Sequence, residues 1–108
     1  MQSHKQIIDL YAPAAPESGM RCKRIIKDGL FRLSRRDSAV YSVQIISNAT
    51  WGRARVMNGA GEMLWYQPSV FTGSFWLDGF AKGGILVEVI GASSNYTINW
   101  REKDNQIV

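Results

Sequence analysis

The clearest alternation of hydrophobic and polar residues lies near the end of the chain. Tyr96, Ile98 and Trp100 alternate with polar side chains, whereas residues 85–90 are almost wholly apolar. Successive side chains on a β-strand point to opposite faces, so the first pattern predicts a strand with one buried face and the second a strand deeper in a sheet. The small and polar residues 91–95 are typical of a turn. We therefore predict a closing β-hairpin whose Tyr96, Ile98 and Trp100 belong to the core.

Similar strand patterns recur along most of the chain, separated by turns rich in Gly, Asn and Asp, and no segment has helical periodicity longer than a turn or two. The predicted strands are residues 20–28, 30–34, 39–47, 51–57, 62–67, 70–77, 83–91 and 96–101, with Gly-rich turn signals at 58–61 and 82–84. Within 39–47 the alternation places Tyr41, Val43 and Ile45 on one face. The Asp28-Gly29 turn predicts that the first two of them pair as a hairpin. We expect an all-β, single-domain antiparallel β-sandwich or jelly-roll of about eight strands with an extended N-terminal arm.

The first nineteen residues differ from the rest. Residues 5–11 are suited to a short strand, and the two prolines at 13 and 16 favour extended backbone after it. We predict an arm and Ala/Pro linker at 1–19 and a sandwich domain at 20–108. The arm either frays, as termini often do, or contacts a neighbouring subunit. The residues that would make that contact are Ile7, Ile8, Leu10 and Tyr11.

Length and composition are those of a domain that folds on its own. A chain of 108 residues, 45% of them hydrophobic, buries enough surface to form a core without a metal ion or a disulfide. No apolar run approaches the ~20 residues of a membrane span, and the first residues lack the apolar block of a signal peptide. We expect no membrane association and synthesis in the cytoplasm.

The chain is poor in the residues that most catalytic and metal sites require. It has one cysteine, Cys22, and one histidine, His4. A Ser-His-Asp triad or a Cys-His pair would need His4 to fold back into a site, and zinc sites usually need several His or Cys ligands. We therefore predict a protein that is not an enzyme, with no catalytic residues, no metal site and no cofactor.

Three carboxylates deserve inspection as a general acid and base, namely Glu62, Asp78 and Glu88. Asp78 precedes a glycine, which a turn alone explains. Glu88 is the one charged residue of an apolar strand, so either its face is solvated or it pairs with a base such as Arg101. Nothing in the spacing marks a catalytic pair.

Charge is unevenly spread along the chain. Residues 1–55 hold ten basic and four acidic residues, whereas 56–108 hold three basic and five acidic ones. The predicted basic surface comprises Arg21, Lys23, Arg24, Lys27, Arg32, Arg35 and Arg36. Such a surface either protects an edge hairpin or meets an acidic protein partner, and both are favoured over nucleic acid because no nucleic-acid-binding motif is present.

Tryptophan and tyrosine side chains that remain exposed can stack on sugar rings, so the aromatic residues suggest a second function. Trp76 is out of phase with its apolar neighbours Phe75 and Leu77, which predicts that it is exposed. The candidate ligand aromatics are Trp65, Trp76 and Phe80. The alternative for each is burial in the core, the usual fate of tryptophan.

From residue 40 to 101 the chain resembles the small all-β accessory proteins of tailed bacteriophage virions, such as head decoration or tail components. The resemblance lies in the segments YSVQI (41–45), GRARV (52–56), GILVEV (84–89) and YTINW (96–100). It implies a non-enzymatic structural or assembly role in the virion, with copies made in the host cytoplasm and joined through the arm and strand edges. The partners would be other subunits of a symmetric assembly, including further copies of this chain. The alternatives are a glycan-binding module and a nucleic-acid-binding protein that uses the basic hairpin.

Overall fold

The computed structural model describes residues 6–11, 20–47, 52–67, 72–90 and 94–102. Within these ranges nine strands form. They are β1 (Ile7–Asp9), β2 (Arg21–Ile25), β3 (Gly29–Ser34), β4 (Ser38–Ser47), β5 (Arg53–Asn58), β6 (Met63–Gln67), β7 (Gly73–Ala81), β8 (Ile85–Ile90) and β9 (Ser94–Glu102). None of the described residues forms a helix long and apolar enough to cross a membrane.

The strands form two packed sheets. The five-stranded sheet has the order β1-β3-β8-β5-β6, and the four-stranded sheet has the order β2-β9-β4-β7. Strands β2 to β9 pair as one long hairpin rolled up, β2 with β9, β3 with β8, β4 with β7 and β5 with β6. This nested pairing is the arrangement of a jelly-roll, and it confirms the all-β sandwich predicted from the sequence.

The rolled pairing contradicts two of the predicted hairpins. β2 and β3 flank Asp28-Gly29 but lie in different sheets, and so do β8 and β9 on either side of the predicted closing turn. In a rolled hairpin the chain passes from one sheet to the other after most strands. Among the strands that the structure describes, only β5 and β6, at the tip of the roll, are both adjacent in sequence and paired, and the Asn58–Gly61 turn predicted from the sequence joins them.

The core lies between the sheets and is built from alternate residues of both. Phe31, Val56 and Val87 contribute to it from the five-stranded sheet, and Val43 and Ile45 from the four-stranded sheet. Tyr96, Ile98 and Trp100 of β9 are also buried, so the prediction that they belong to the core is confirmed. Each such apolar side chain contributes about 1.5–3 kcal/mol when removed from water, which makes this the main stabilising layer.

A β-bulge changes the alternation at the start of β4. The pairing of β4 with β9 shifts between Val40 and Ser42, so that Tyr41 has no direct partner on that strand. Val40 is therefore buried and Tyr41 is half-buried, whereas uninterrupted alternation had placed Tyr41 on the inner face with Val43.

The first strand belongs to the sandwich. β1 pairs in parallel with β3, Ile7 opposite Leu30 and Asp9 opposite Arg32, and the Leu10 amide extends the pairing by donating to the Arg32 carbonyl at 2.9 Å. Within the described part of the arm the chain thus adds an edge strand to its own sheet. The Ala/Pro linker at 12–19 lies outside the described residues.

Three turns meet at one end of the sandwich. The Gly59 amide donates to the Lys82 carbonyl at 3.1 Å, and the Gly83 amide donates to Asp37 Oδ1 at 2.7 Å. Gly84 has a φ of +126°, and a Cβ added there would lie 2.3 Å from the Ser34 carbonyl oxygen. The Gly-rich segment predicted to be a turn therefore requires glycine for both backbone conformation and space.

Candidate binding surface on the four-stranded sheet

Two large aromatic side chains lie exposed on edge strand β7. Trp76 is 77% exposed and Phe80 is 52% exposed. Val43 pairs with Phe75 and both face the core, so the next pair, Ser42 and Trp76, lies on the outer face, where Ser42 is buried and Trp76 is exposed. Phe80 is opposite Ala39 on the same outer face, where the small alanine leaves it uncovered. We call Trp76 and Phe80 the β7 aromatic surface.

Polar side chains continue this face across the neighbouring strands. Ser42 and Gln44 on β4 lie opposite Asn99 and Thr97 on β9. The Asn99 side-chain amide donates a hydrogen bond to Ser42 Oγ at 3.0 Å and a longer one to Gln44 Oε1 at 3.4 Å. The four side chains beside Trp76 are thus uncharged and polar, and hydrogen bonds join three of them. Two arginines lie further along the same face, Arg24 opposite Thr97 and Arg101 opposite Ala39.

Trp65 does not join Trp76 and Phe80. It is opposite Val56 on the inner face of the five-stranded sheet, and its ring centroid is 5.6 Å from that of Phe75. Packing across the sandwich accounts for this position, so the three candidate ligand aromatics do not form one surface. The sequence feature that distinguishes them is their position in the alternation of inner and outer residues. Trp76 falls between core-facing residues of its strand, whereas Trp65 does not.

The arm residues occupy the opposite edge, beside β3. Ile7 and Ile8 are each a little over a third exposed, and Leu10 packs against the core. Asp9 forms an ion pair with Arg35, whose guanidinium also lies 5.9 Å from the centroid of the Tyr11 ring. The hydrogen bond from Arg35 and a second one from the Tyr11 amide lower the pKa of Asp9 below its ordinary value of 3.8. Arg35 in turn has a raised pKa because it donates to Asp9.

The predicted basic surface is divided by the fold. Arg21, Lys23 and Arg24 lie on β2 in the four-stranded sheet, whereas Arg32 lies on β3 in the other sheet. Lys27, Arg35 and Arg36 lie in the connections that follow β2 and β3. The hairpin on which the nucleic-acid hypothesis was based does not form. The fold therefore gives no reason to expect these basic side chains to lie close together.

Arg21 contacts side chains of the neighbouring strand β9. It lies 3.4 Å from Glu102 Oε2 and over the Trp100 ring, 5.6 Å from the centroid. The Ser34 hydroxyl donates to the same Glu102 oxygen at 2.7 Å. This cluster joins β2, β3 and β9 at one end of the sandwich, so Arg21 stabilises the packing of the strands.

Two of the candidate carboxylates, Glu62 and Glu88, have different hydrogen-bond partners. Arg55 Nε donates a hydrogen bond to Glu88 at 2.6 Å. The sequence suggested Arg101 as the partner of Glu88, but Arg55 takes this place because β8 pairs with β5. Glu62 accepts from Asn58 Nδ2 at 2.8 Å across the β5–β6 turn. The side chain of Asp78 lies outside the described residues. Among those residues no group of three or more His, Cys, Asp and Glu side chains could hold a metal ion.

No protein-family model, curated protein or solved structure matches the chain.

Proposed function

We propose that this protein is a non-enzymatic assembly subunit, of the kind that decorates or accompanies the virions of tailed bacteriophages, and that copies of it meet through the β7 aromatic surface. The observation that carries the proposal is the exposure of Trp76 and Phe80 on one outer face. Exposed aromatic residues on a rigid strand are the side chains that contribute most to protein interfaces, since each buries 150–250 Å² when covered.

Charge favours a second copy as the occupant of this surface. The chain carries a net charge of +4, but β7 itself contains no Lys or Arg. Two copies that meet at β7 therefore bring no cationic side chains of this strand together. A two-fold axis places the same patch on both subunits, and an aromatic patch can pack against itself.

The fold is one that virion proteins use. Jelly-rolls form viral capsid domains, but also lectins and cupins, so the architecture alone does not decide the function. Support for the assembly role comes from the exposed side chains of β7 and from the resemblance of residues 40–101 to virion accessory proteins.

Sedimentation velocity across a concentration series tests the proposal. We expect the apparent mass of the wild-type protein to rise above that of the monomer as concentration increases. Trp76→Ser should weaken this association at least tenfold, equivalent to about 1.4 kcal/mol. Ile26→Ser is the matched control, because Ile26 is 61% exposed and follows β2 at the other edge of the sheet. A wild-type protein that stays monomeric, or equal loss in both variants, would count against the proposal.

A second candidate is a glycan-binding module that uses the same face. The specific observation in its favour is the uncharged polar network of Ser42, Gln44 and Asn99 beside Trp76. Sugar hydroxyls can bond to such groups while the indole supports the ring. A glycan array separates the two functions. Glycan binding that is lost in both Trp76→Ala and Asn99→Ala would favour this candidate, and an array without hits would remove it.

A further inference from the structure

A second surface feature lies on the outer face of the five-stranded sheet. It is a groove of about 280 Å³ between β8, β5 and β6. We call it the arginine groove, and its lining side chains are Arg53, Arg55, Met63, Tyr66, Glu88 and Ile90. It belongs to the opposite sheet from the β7 aromatic surface.

Strand geometry brings the two arginines together. Arg53 and Arg55 are alternate residues of β5, so they share a face about 7 Å apart. Ile90 lies opposite Arg53 on β8, and Tyr66 lies opposite Arg55 on β6. The groove thus has cationic groups along its centre strand and apolar or aromatic groups on both neighbours.

The two arginines differ in their ion pairs. Arg55 Nε donates to Glu88 Oε1 at 2.6 Å, which holds its guanidinium in place and leaves the terminal N–H groups for another acceptor. Arg53 is exposed and forms no ion pair with a described carboxylate. Two arginines and one glutamate give the groove a net charge of one positive unit.

Apolar surface surrounds this charge. Met63 is 53% exposed and Tyr66 is 44% exposed, and Ile90 is half-buried at the other side. An apolar or aromatic group bound beside the arginines would cover these side chains. The bound group can be about as large as one amino-acid residue or a small organic acid, because the volume of the groove lies near the lower end of the range for ligand pockets.

We propose that the arginine groove binds the carboxylate of a ligand with an aromatic or apolar body. The carboxylate lies between Arg53 and Arg55, and the body lies against Tyr66 and Met63. A monoanion matches the single net positive charge, whereas a phosphate monoester carries nearly two negative charges at pH 7 and meets the Glu88 carboxylate as well. The same chemistry is found in small organic acids and in the C-terminal residue of a protein chain.

Nuclear magnetic resonance titration tests this site directly, with N-acetylphenylalanine as the probe. We expect saturable shifts of the Arg53 and Arg55 Nε–H signals and of Tyr66. N-acetylphenylalanine amide, which lacks the charge, should bind at least tenfold more weakly, and phenyl phosphate should bind more weakly than the acid. An acetylated tetrapeptide ending in phenylalanine separates the two sources. If it binds as well as the acid, the groove accepts a chain terminus, and if only the acid binds, the groove is a small-molecule site.

Arg53→Gln should reduce the affinity for N-acetylphenylalanine at least tenfold. Its matched control is Arg24→Gln, which removes an exposed arginine from β2 on the other sheet and should change the affinity less than twofold. Unchanged signals elsewhere in the spectrum show that each variant is folded. Equal binding of acid and amide, tighter binding of the phosphate, equal effects of the two variants, or no shift at 20-fold the concentration of protein would each overturn the proposal.

Discussion

Trp76 lies in an environment that is unusual for its residue type. Tryptophan is normally largely buried, yet this side chain is 77% exposed while its neighbours on β7 face the core. Its removal should therefore leave the stability of the fold almost unchanged, within about 0.5 kcal/mol, as for other surface substitutions. A loss of association in Trp76→Ser can then be assigned to the surface itself.

Gly84 combines a positive φ with a close backbone neighbour, so substitution there should be poorly tolerated. Gly84→Ala should lower the free energy of unfolding by roughly 1–3 kcal/mol, because φ is +126° and the added Cβ would meet the Ser34 carbonyl. Thermal or denaturant unfolding measures the change. Gly73→Ala is the control, since its Cβ would make only ordinary contacts with Phe75. Equal stability of the two variants would contradict the backbone geometry described for this turn.

The Asp9–Arg35 pair makes the docking of β1 depend on pH. The pKa of Asp9 is lower in the folded chain than in the unfolded chain. The stabilisation from the ion pair is therefore complete above the ordinary value of 3.8 and is lost as pH falls through the folded value. We expect the Leu10 amide, bonded to the Arg32 carbonyl, to lose hydrogen-exchange protection below about pH 4. A carboxyl titration showing Asp9 at its ordinary pKa, with protection unchanged in Arg35→Gln, would refute this.

At the residue level, the sequence was sufficient wherever local alternation continued without interruption. It predicted the buried Tyr96, Ile98 and Trp100 and the exposed Trp76. It failed at Tyr41, because a bulge adds a residue to β4 relative to β9, and a bulge has no signature in the alternation itself. The arginine groove was missed because it depends on three strands whose pairing the sequence does not specify.

Strands and turns were easier to predict than the partners of the strands. The Asp28-Gly29 signal correctly marks a change of direction, but β2 then pairs with β9, more than seventy residues away, and not with β3. Local turn chemistry determines where a strand ends. Which strand it joins depends on the burial of both sheets together, and that information is not local.

The pairing of β2 with β9 can be tested with the cysteine already present. Cys22 lies directly opposite Asn99, where paired Cβ atoms are about 4.5–5.5 Å apart. We expect Asn99→Cys to form an intramolecular disulfide with Cys22 under mild oxidation, observed by mass spectrometry at low protein concentration. Gln44→Cys, one strand further across and two residues along at about 12 Å, should stay reduced. An Asn99→Cys protein that remains reduced would contradict the rolled pairing.

On the scale of the whole molecule, the jelly-roll separates the two candidate surfaces. The β7 aromatic surface lies on the four-stranded sheet and the arginine groove on the five-stranded sheet. A subunit that used both could contact another copy through one sheet while a carboxylate occupied the other. The alternation of hydrophobic and polar residues predicted the fold class, and the distribution of charged residues predicted the uneven charge. Only the pairing of the strands defines which side chains share a surface.

Hydroxyl-radical footprinting of dilute and concentrated protein tests the central claim most directly, because it measures whether the β7 aromatic surface becomes covered. We expect oxidation of Trp76 and Phe80 to fall severalfold as the protein associates, while oxidation of Met63, exposed on the other sheet, stays constant. Equal oxidation of Trp76 at both concentrations, in a sample that sedimentation shows to be associated, would place the interface elsewhere and contradict the proposed role of β7.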